Sequence, residues 1–185
     1  MTRDTKEVKN KAEAKKQFFI DLGLSYGMFH LDKSDVNGAI EVSTPDDKTL
    51  GYKIAIGTYY DNYSFSIDYR KHDLDDIIIS SYGVQLEYLF SHKYKPYLGV
   101  NLGKIKKDWQ IDPLINSTKK DTSISSNYYG IHGGVRYELQ KGLYFIPSIA
   151  YQEYELITKL HSKTAQTNIE SKNRFLYEIA LRYDF

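Results

Sequence analysis

From Phe18 to the last residue, apolar side chains recur at every second position, the period of a β-strand and not the 3.6-residue period of a helix. Ile20, Leu22, Leu24, Tyr26 and Met28 alternate with Asp21, Gly23, Ser25 and Gly27. Leu50, Tyr52, Ile54, Ile56, Thr58 and Tyr60 alternate with Gly51, Lys53, Ala55, Gly57 and Tyr59, and Tyr63, Phe65, Ile67 and Tyr69 with Ser64, Ser66, Asp68 and Arg70. Further segments carry Tyr82 to Phe90, Leu98 to Leu102, Tyr129 to Leu139, Leu143 to Tyr151 and Phe175 to Phe185, which makes eight. Asp61-Asn62 reads as a tight hairpin, Ser91–Lys95 as a turn and Gln140-Lys141-Gly142 as another tight turn. Pro147 falls inside the seventh segment, and its missing N–H predicts a bulge or local irregularity there. Connections alternate in length: Asp32–Lys48, Lys104–Ser126 and Lys159–Lys172 are long, and Lys71–Asp76 is shorter. The pattern predicts an all-β chain, an eight-stranded antiparallel up-and-down barrel with one trimmed end and one elaborated end.

Alternation alone fits a soluble carrier barrel with an apolar interior as well as a membrane barrel with an apolar exterior. The polar face separates the two. It is built mainly from Gly, Ala and Ser with a few charges, a poor surface for a water-facing strand but a good lining for a narrow lumen, where small residues make room for long ones. The predicted lumen set is Asp21, Lys53, Asp68, Arg70, Glu87, Arg136, Glu138, Glu178 and Arg182, with both signs represented. Strand length agrees: about 11 residues tilted by about 45° rise roughly 25 Å, the height of an apolar membrane band. Tyrosines at the short turns (Tyr59, Tyr60, Tyr63, Tyr88, Tyr94, Tyr97, Tyr137, Tyr144, Tyr183), with Phe185, predict an aromatic girdle at one membrane surface.

Composition narrows the chemistry. Cysteine is absent, which removes thiol nucleophiles, disulfides and Cys-ligated metals. Lys+Arg 25 against Asp+Glu 24 gives a formal charge of +1, so no global field argues for nucleic acid. No apolar run approaches the roughly 20 residues of a membrane helix. Residues 1–16 are charged, with no apolar core, and are expected to be a disordered tail or a short frayed helix preceding the barrel at 17–185. An export signal is accordingly expected to have been removed, or replaced by the starting Met.

The chain end, Tyr177-Glu178-Ile179-Ala180-Leu181-Arg182-Tyr183-Asp184-Phe185, together with Lys95-Pro96-Tyr97-Leu98-Gly99-Val100-Asn101-Leu102-Gly103, resembles the small eight-stranded outer-membrane barrels of Gram-negative bacteria, of the OmpA/OmpX and opacity-protein type. The resemblance spans Phe18 to Phe185. It implies a transmembrane barrel in the bacterial outer membrane, with short periplasmic turns and longer extracellular loops. It also implies that Tyr177, Ile179, Leu181, Tyr183 and Phe185 form the signal read by the outer-membrane assembly machinery, and that the lumen charges form a plugging network. It leaves the task open, because that fold carries anchors, adhesins, channels and a few enzymes.

His72-Asp73-Leu74-Asp75-Asp76 reads as a hydrated loop, with metal binding or hydrolysis as weaker alternatives. Outer-membrane lipid A deacylases carry a His and a Ser two residues apart on a lipid-facing strand. None of His30, His72, His92, His132 and His161 has a Ser two residues on. Lys104, Lys106, Lys107, Trp109, Lys119 and Lys120 are read as surface contacts to lipopolysaccharide phosphates or to an extracellular ligand. No cofactor motif is present. The expected function is therefore non-enzymatic, structural or surface-interacting; a narrow channel is the alternative, and a lipid A-modifying enzyme a weaker one.

Overall fold

A computed structural model describes residues 17–37, 47–74, 77–109, 119–120, 123–161 and 166–185. The charged segment 1–16, and Asp75 and Asp76, lie outside these residues. Ten β segments are present: β1 Phe18–Asn37, β2 Lys48–Tyr60, β3 Tyr63–Leu74, β4 Ile77–Leu89, β5 Tyr97–Trp109, β6 Lys119–Lys120, β7 Ser123–Gly134, β8 Tyr137–Gln140, β9 Leu143–His161 and β10 Gln166–Asp184. All pairings are antiparallel, and β1 pairs with both β2 and β10, closing the sheet on itself. Segments β7 and β8 follow one another along β9 and form one wall, while β6 is a short ladder on the top of β9. The result is the expected closed, eight-stranded, all-antiparallel barrel.

The short turns are where the residue types placed them. Asp61 adopts φ 52 in the β2–β3 hairpin, and Gly142 adopts φ 81 in the β8–β9 turn, a conformation open to glycine without a Cβ penalty. The opposite end differs from expectation. Among the described residues, the ends of Asp32–Lys48, Lys104–Ser126 and Lys159–Lys172, expected as loops, are strand: β1 runs to Asn37, β5 to Trp109, β7 starts at Ser123, and β9 and β10 reach His161 and Gln166. Lys71–Leu74 likewise belong to β3.

The reason is an inversion of the apolar face. Around the lower barrel Leu22, Leu24, Ile54, Ile56, Ile67, Leu86, Val100, Ile131, Ile179 and Leu181 point outward and are exposed. So large an apolar belt is stable against hydrocarbon, not water. Tyr26, Tyr52, Tyr69, Tyr82, Tyr129, Tyr151 and Tyr177 crown it on the outer wall, in neighbouring register. Above that crown the outer wall turns polar, with Lys71, Lys104, Lys106, Glu153 and Lys172, and the apolar side chains turn inward. Phe29, Leu74, Ile77, Ile79, Ile105, Trp109, Tyr128, Tyr154, Leu156 and Ile169 pack into one buried cluster. Once the strands leave the lipid, burial inside the barrel is the available way to remove apolar surface from water.

The ladders open selectively in this upper part. Among the described residues the β7–β9 ladder stops at Tyr128↔Tyr154 although both strands continue, whereas β9–β10–β1 stay paired up to His161, Gln166 and Asn37. β9 runs unbroken through Pro147, without a bulge; the local irregularity expected there lies in the wall opposite it. Pro147 turns its carbonyl toward Val135, which donates to it at 3.2 Å, so the missing N–H faces that same neighbour. The wall breaks there between Gly134 and Tyr137, and Arg136 N–H donates instead to the Tyr94 carbonyl at 3.0 Å.

Candidate functional site: a stoppered lumen and its outer wall

Strand parity sends every second residue into the lumen, and the buried charges stack there in tiers. At the turn end, Arg182 donates Nε and Nη2 to the two oxygens of Asp21 at 2.5 and 2.6 Å, and Nη1 to Tyr59 Oη at 3.2 Å. The Arg182 guanidinium lies 3.7 Å from the Phe19 ring centre. Glu87 accepts from Arg136 at 2.6 Å and from Ser64. His132 meets Glu87 through Nε2 at 3.2 Å while its Nδ1 lies 3.2 Å from Asn101 Nδ2. The amide must donate to Nδ1, so the Nε2–H form is the one that satisfies both contacts.

From Asn101 the chain of bonds climbs. Gln152 donates to Asn101 at 3.0 Å, Arg174 donates to Gln152 Oε1 at 2.7 Å, and Arg174 also donates to Ser81 at 2.7 Å. Beside it stands a second group: Lys53 at 3.0 Å and Arg70 at 2.5 Å both bind Glu178, and Arg70 also bridges to Asp68. Ser25 Oγ meets His72 Nε2 at 3.1 Å. This is a Ser–His contact, but both residues are fully buried and, among the described residues, His72 Nδ1 has no partner to orient the ring as a general base.

Asp21, Lys53, Asp68, Arg70, Glu87, Arg136, Glu178 and Arg182 thus all stand buried in the lumen. Glu138 does not. It is exposed at the turn end, because the wall break and the register shift between Glu138 and Gln140 carry it past the lumen floor. His72, read as part of a hydrated loop, is fully buried, since β3 continues past it. Of the predicted girdle residues, Tyr59 faces the lumen charges and Tyr97 and Tyr144 are buried, whereas Tyr60, Tyr63, Tyr88, Tyr94, Tyr137, Tyr183 and Phe185 are exposed on the outside. The proposed assembly residues Tyr177, Ile179, Leu181, Tyr183 and Phe185 all lie on the exposed outer face of the chain end.

Three lumen residues went unselected although parity marks them. Arg174 lies four residues before Glu178 on the same face, and His72 two residues after Arg70. Lys107 lies on the face of Tyr97 and Asn101 but was read as loop. Among the described residues the buried cations Lys53, Arg70, Lys107, Arg136, Arg174 and Arg182 outnumber the buried anions Asp21, Asp68, Glu87 and Glu178. The surplus is Arg174, which hydrogen-bonds neutral Gln152 and Ser81, and Lys107, whose Nζ has no hydrogen-bond partner among the described residues and lies 5.0 Å from the Trp109 ring centre.

Lys107 and Trp109 therefore do not belong to the exposed surface to which the sequence pattern assigned them. Trp109 is buried and donates Nε1–H to Thr158 Oγ1 at 3.4 Å. Lys104 and Lys106 do face outward, and Lys119 and Lys120 lie in β6. Lys106 pairs with Asp108 at 2.9 Å and Lys71 with Asp73 at 3.6 Å. On the adjoining wall, Tyr129 and Tyr151 both donate to Glu153, at 2.6 and 3.0 Å.

No family model and no curated protein matches the sequence. Solved structures do match the fold. The outer membrane protein OprG from Pseudomonas aeruginosa superposes with a TM-score of 0.68 at 15% identity, over 91% of this chain and 95% of that one. Neisserial surface protein A gives 0.55 at 17% identity, over 85% and 95%. The N-terminal β-barrel domain of Pseudomonas aeruginosa OprF gives 0.51 at 12% identity, over 90% and 97%. The fold is that of the small bacterial outer-membrane barrels.

Proposed function

We propose that this chain is an integral outer-membrane barrel with a closed lumen that works through its outer surface, as a structural or surface-interacting protein and not as an enzyme. The observation that carries this reading is the double stopper. A network of paired charges occupies the membrane-spanning half, and a buried apolar cluster occupies the half above it. Ions crossing such a lumen would have to break buried ion pairs and then enter an apolar zone where nothing replaces their hydration. With the interior occupied by its own side chains, recognition falls to the outer wall and rim, where lipopolysaccharide or an extracellular ligand would be met. The exposed face of β10 is the element offered to the assembly machinery.

Planar-bilayer recording on the refolded chain tests this. No current steps are expected, at either polarity. Discrete, reproducible steps that change size on substitution of Glu87 or Arg174 would replace this reading with the narrow-channel one.

A further inference from the structure

Two adjoining hollows mark the outer wall at the upper tyrosine crown. One, of about 670 Å³, lies between Tyr82, Val84, Leu102 and Lys104 and reaches Asn127. The other, of about 520 Å³, begins at Asn127 and Ser126 and continues over Tyr129, Tyr151 and Glu153 to Asn173. Asn127 is common to both, so the two form one trough across β4, β5, β7, β9 and β10. Its second half lies where the β7–β9 ladder ends, with Ser126 Oγ bridging to the Glu155 N–H at 3.4 Å in place of a backbone bond.

We infer that this trough binds the phosphorylated, acylated hexosamine headgroup of an outer-leaflet glycolipid. The inference rests on the proposed reading of the outer wall as the contact surface, and names the partner. Three observations support it. Lys104, beside Tyr82 in the register, has no carboxylate within ion-pairing distance among the described residues, whereas Lys71, Lys106 and Lys172 each have one. It is the outer-wall cation at this level left with its charge uncompensated, and a phosphate would compensate it. Below it Val84 and Leu102 continue the lipid-facing belt, so acyl chains would remain in hydrocarbon. Across Asn127, the Tyr129 and Tyr151 hydroxyls hold the Glu153 carboxylate in place. A fixed carboxylate, neighbouring amides and exposed rings suit the hydroxyls and C–H faces of a sugar.

The order of groups also sets an orientation. Glu153 and Glu155 repel phosphate, and Lys172, which lines the same half, is already paired with Glu170 at 2.8 Å, which places the anionic end over Lys104 and the neutral part of the sugar over the tyrosines. A soluble glycan would meet only half of this trough, because the other half is apolar and lies at the level of the lipid.

The test uses the refolded full chain in phosphatidylcholine nanodiscs, with bisphosphorylated lipid A added and the lipid A retained per barrel read by mass spectrometry. Lys104→Glu is expected to weaken retention by roughly thirtyfold, since a lysine near an anionic surface contributes about 1 kcal/mol and reversal counts it twice. Tyr129→Ala and Glu153→Gln are expected to weaken it severalfold, and Lys106→Ala, which removes an already paired charge, by less than twofold. Dephosphorylated lipid A should not distinguish wild type from Lys104→Glu. Folding of each variant is checked by the resistance of its sheet to heating in detergent. Equal retention of lipid A by wild type and Lys104→Glu overturns the site, and so does equally tight binding of the deacylated sugar bisphosphate, which would make a soluble glycan the occupant. Current steps in glycolipid-free bilayers would overturn the closed-lumen reading while leaving lipid A retention unaffected, so the two failures are distinguishable.

Discussion

Arg182 and Asp21 face each other across the β1–β10 seam that closes the barrel, in a two-pronged contact of 2.5 and 2.6 Å between residues at opposite ends of the sequence. Each is almost fully buried. Removing one partner strands a charge in a poorly hydrated lumen, a loss of about 3 to 5 kcal/mol, while removing both costs far less. Asp21→Ala and Arg182→Ala are therefore each expected to lower the urea midpoint of the refolded barrel strongly. Asp21→Leu with Arg182→Met should recover most of it. A double mutant as unstable as the sum of the singles would mean that the pair is not coupled.

The lipid-facing assignment has its own test. Ile54 and Leu86 lie within the apolar belt on the outside, and Ser66 is buried on the inside, 3.4 Å from Gln85 Oε1. An arginine on the lipid face near the midplane costs about 2 to 4 kcal/mol. Ile54→Arg and Leu86→Arg should block or slow insertion into vesicles, while Ser66→Ala should insert like wild type. Equal tolerance of all three would reverse the faces.

Much of this was legible in the chain because a barrel wall has a strict period of two. Once Leu22 and Leu24 are assigned to lipid, Asp21 and Ser25 must face inward, and the same parity brings Lys53, Arg70 and Glu178 into one cluster without any knowledge of register. What the pattern does not carry is the medium outside each stretch. Ile77 and Ile79 resemble the leucines of the belt, yet they point inward because water, not lipid, surrounds that part of β4. The same change of medium makes Lys107 and Trp109 interior residues of a strand and not members of a basic loop. Tyr59 and Tyr97 were misread for a related reason: a tyrosine beside a short turn can crown the lipid or, one position over, cover an arginine in the lumen. Glu138 was misplaced by the break opposite Pro147, which depends on the direction in which that proline faces.

The inverted core above the belt should behave like the core of a soluble protein. Leu156 is buried within it, on a part of β9 that pairs with β10 but not with β7. Leu156→Ala is expected to cost about 2 to 5 kcal/mol. Outward Leu102→Ala, at the edge of the lipid, should cost less, because lipid fills the space vacated. Comparing the two unfolding midpoints in the same vesicles checks this. Equal losses would mean that the upper cluster is not dry.

Lys107 gives this core a dependence on pH. β5 leaves the apolar belt at Lys104, so Lys107 lies outside the membrane-spanning segment, in register with Ile79 and Ile124 and over the Trp109 ring. Burial alone pulls its ammonium down from the ordinary lysine value to about 8. In the unfolded chain the same group titrates near 10.4. Below about pH 8 both states hold the proton and the folded barrel bears the whole cost of the buried charge. Between about pH 8 and pH 10.4 the unfolded state holds more protons than the folded one, so stability rises with pH across that window. Lys107→Met keeps the side-chain volume and removes the charge. At pH 7 it should be more stable than wild type by about 1 to 3 kcal/mol, the range seen when buried charges give way to packed apolar groups. The difference between the two proteins should shrink as pH rises from 8 to 10.4, whatever else titrates in both. A constant difference across that range, or a destabilised Lys107→Met, would mean that Lys107 keeps a compensated charge in the folded protein.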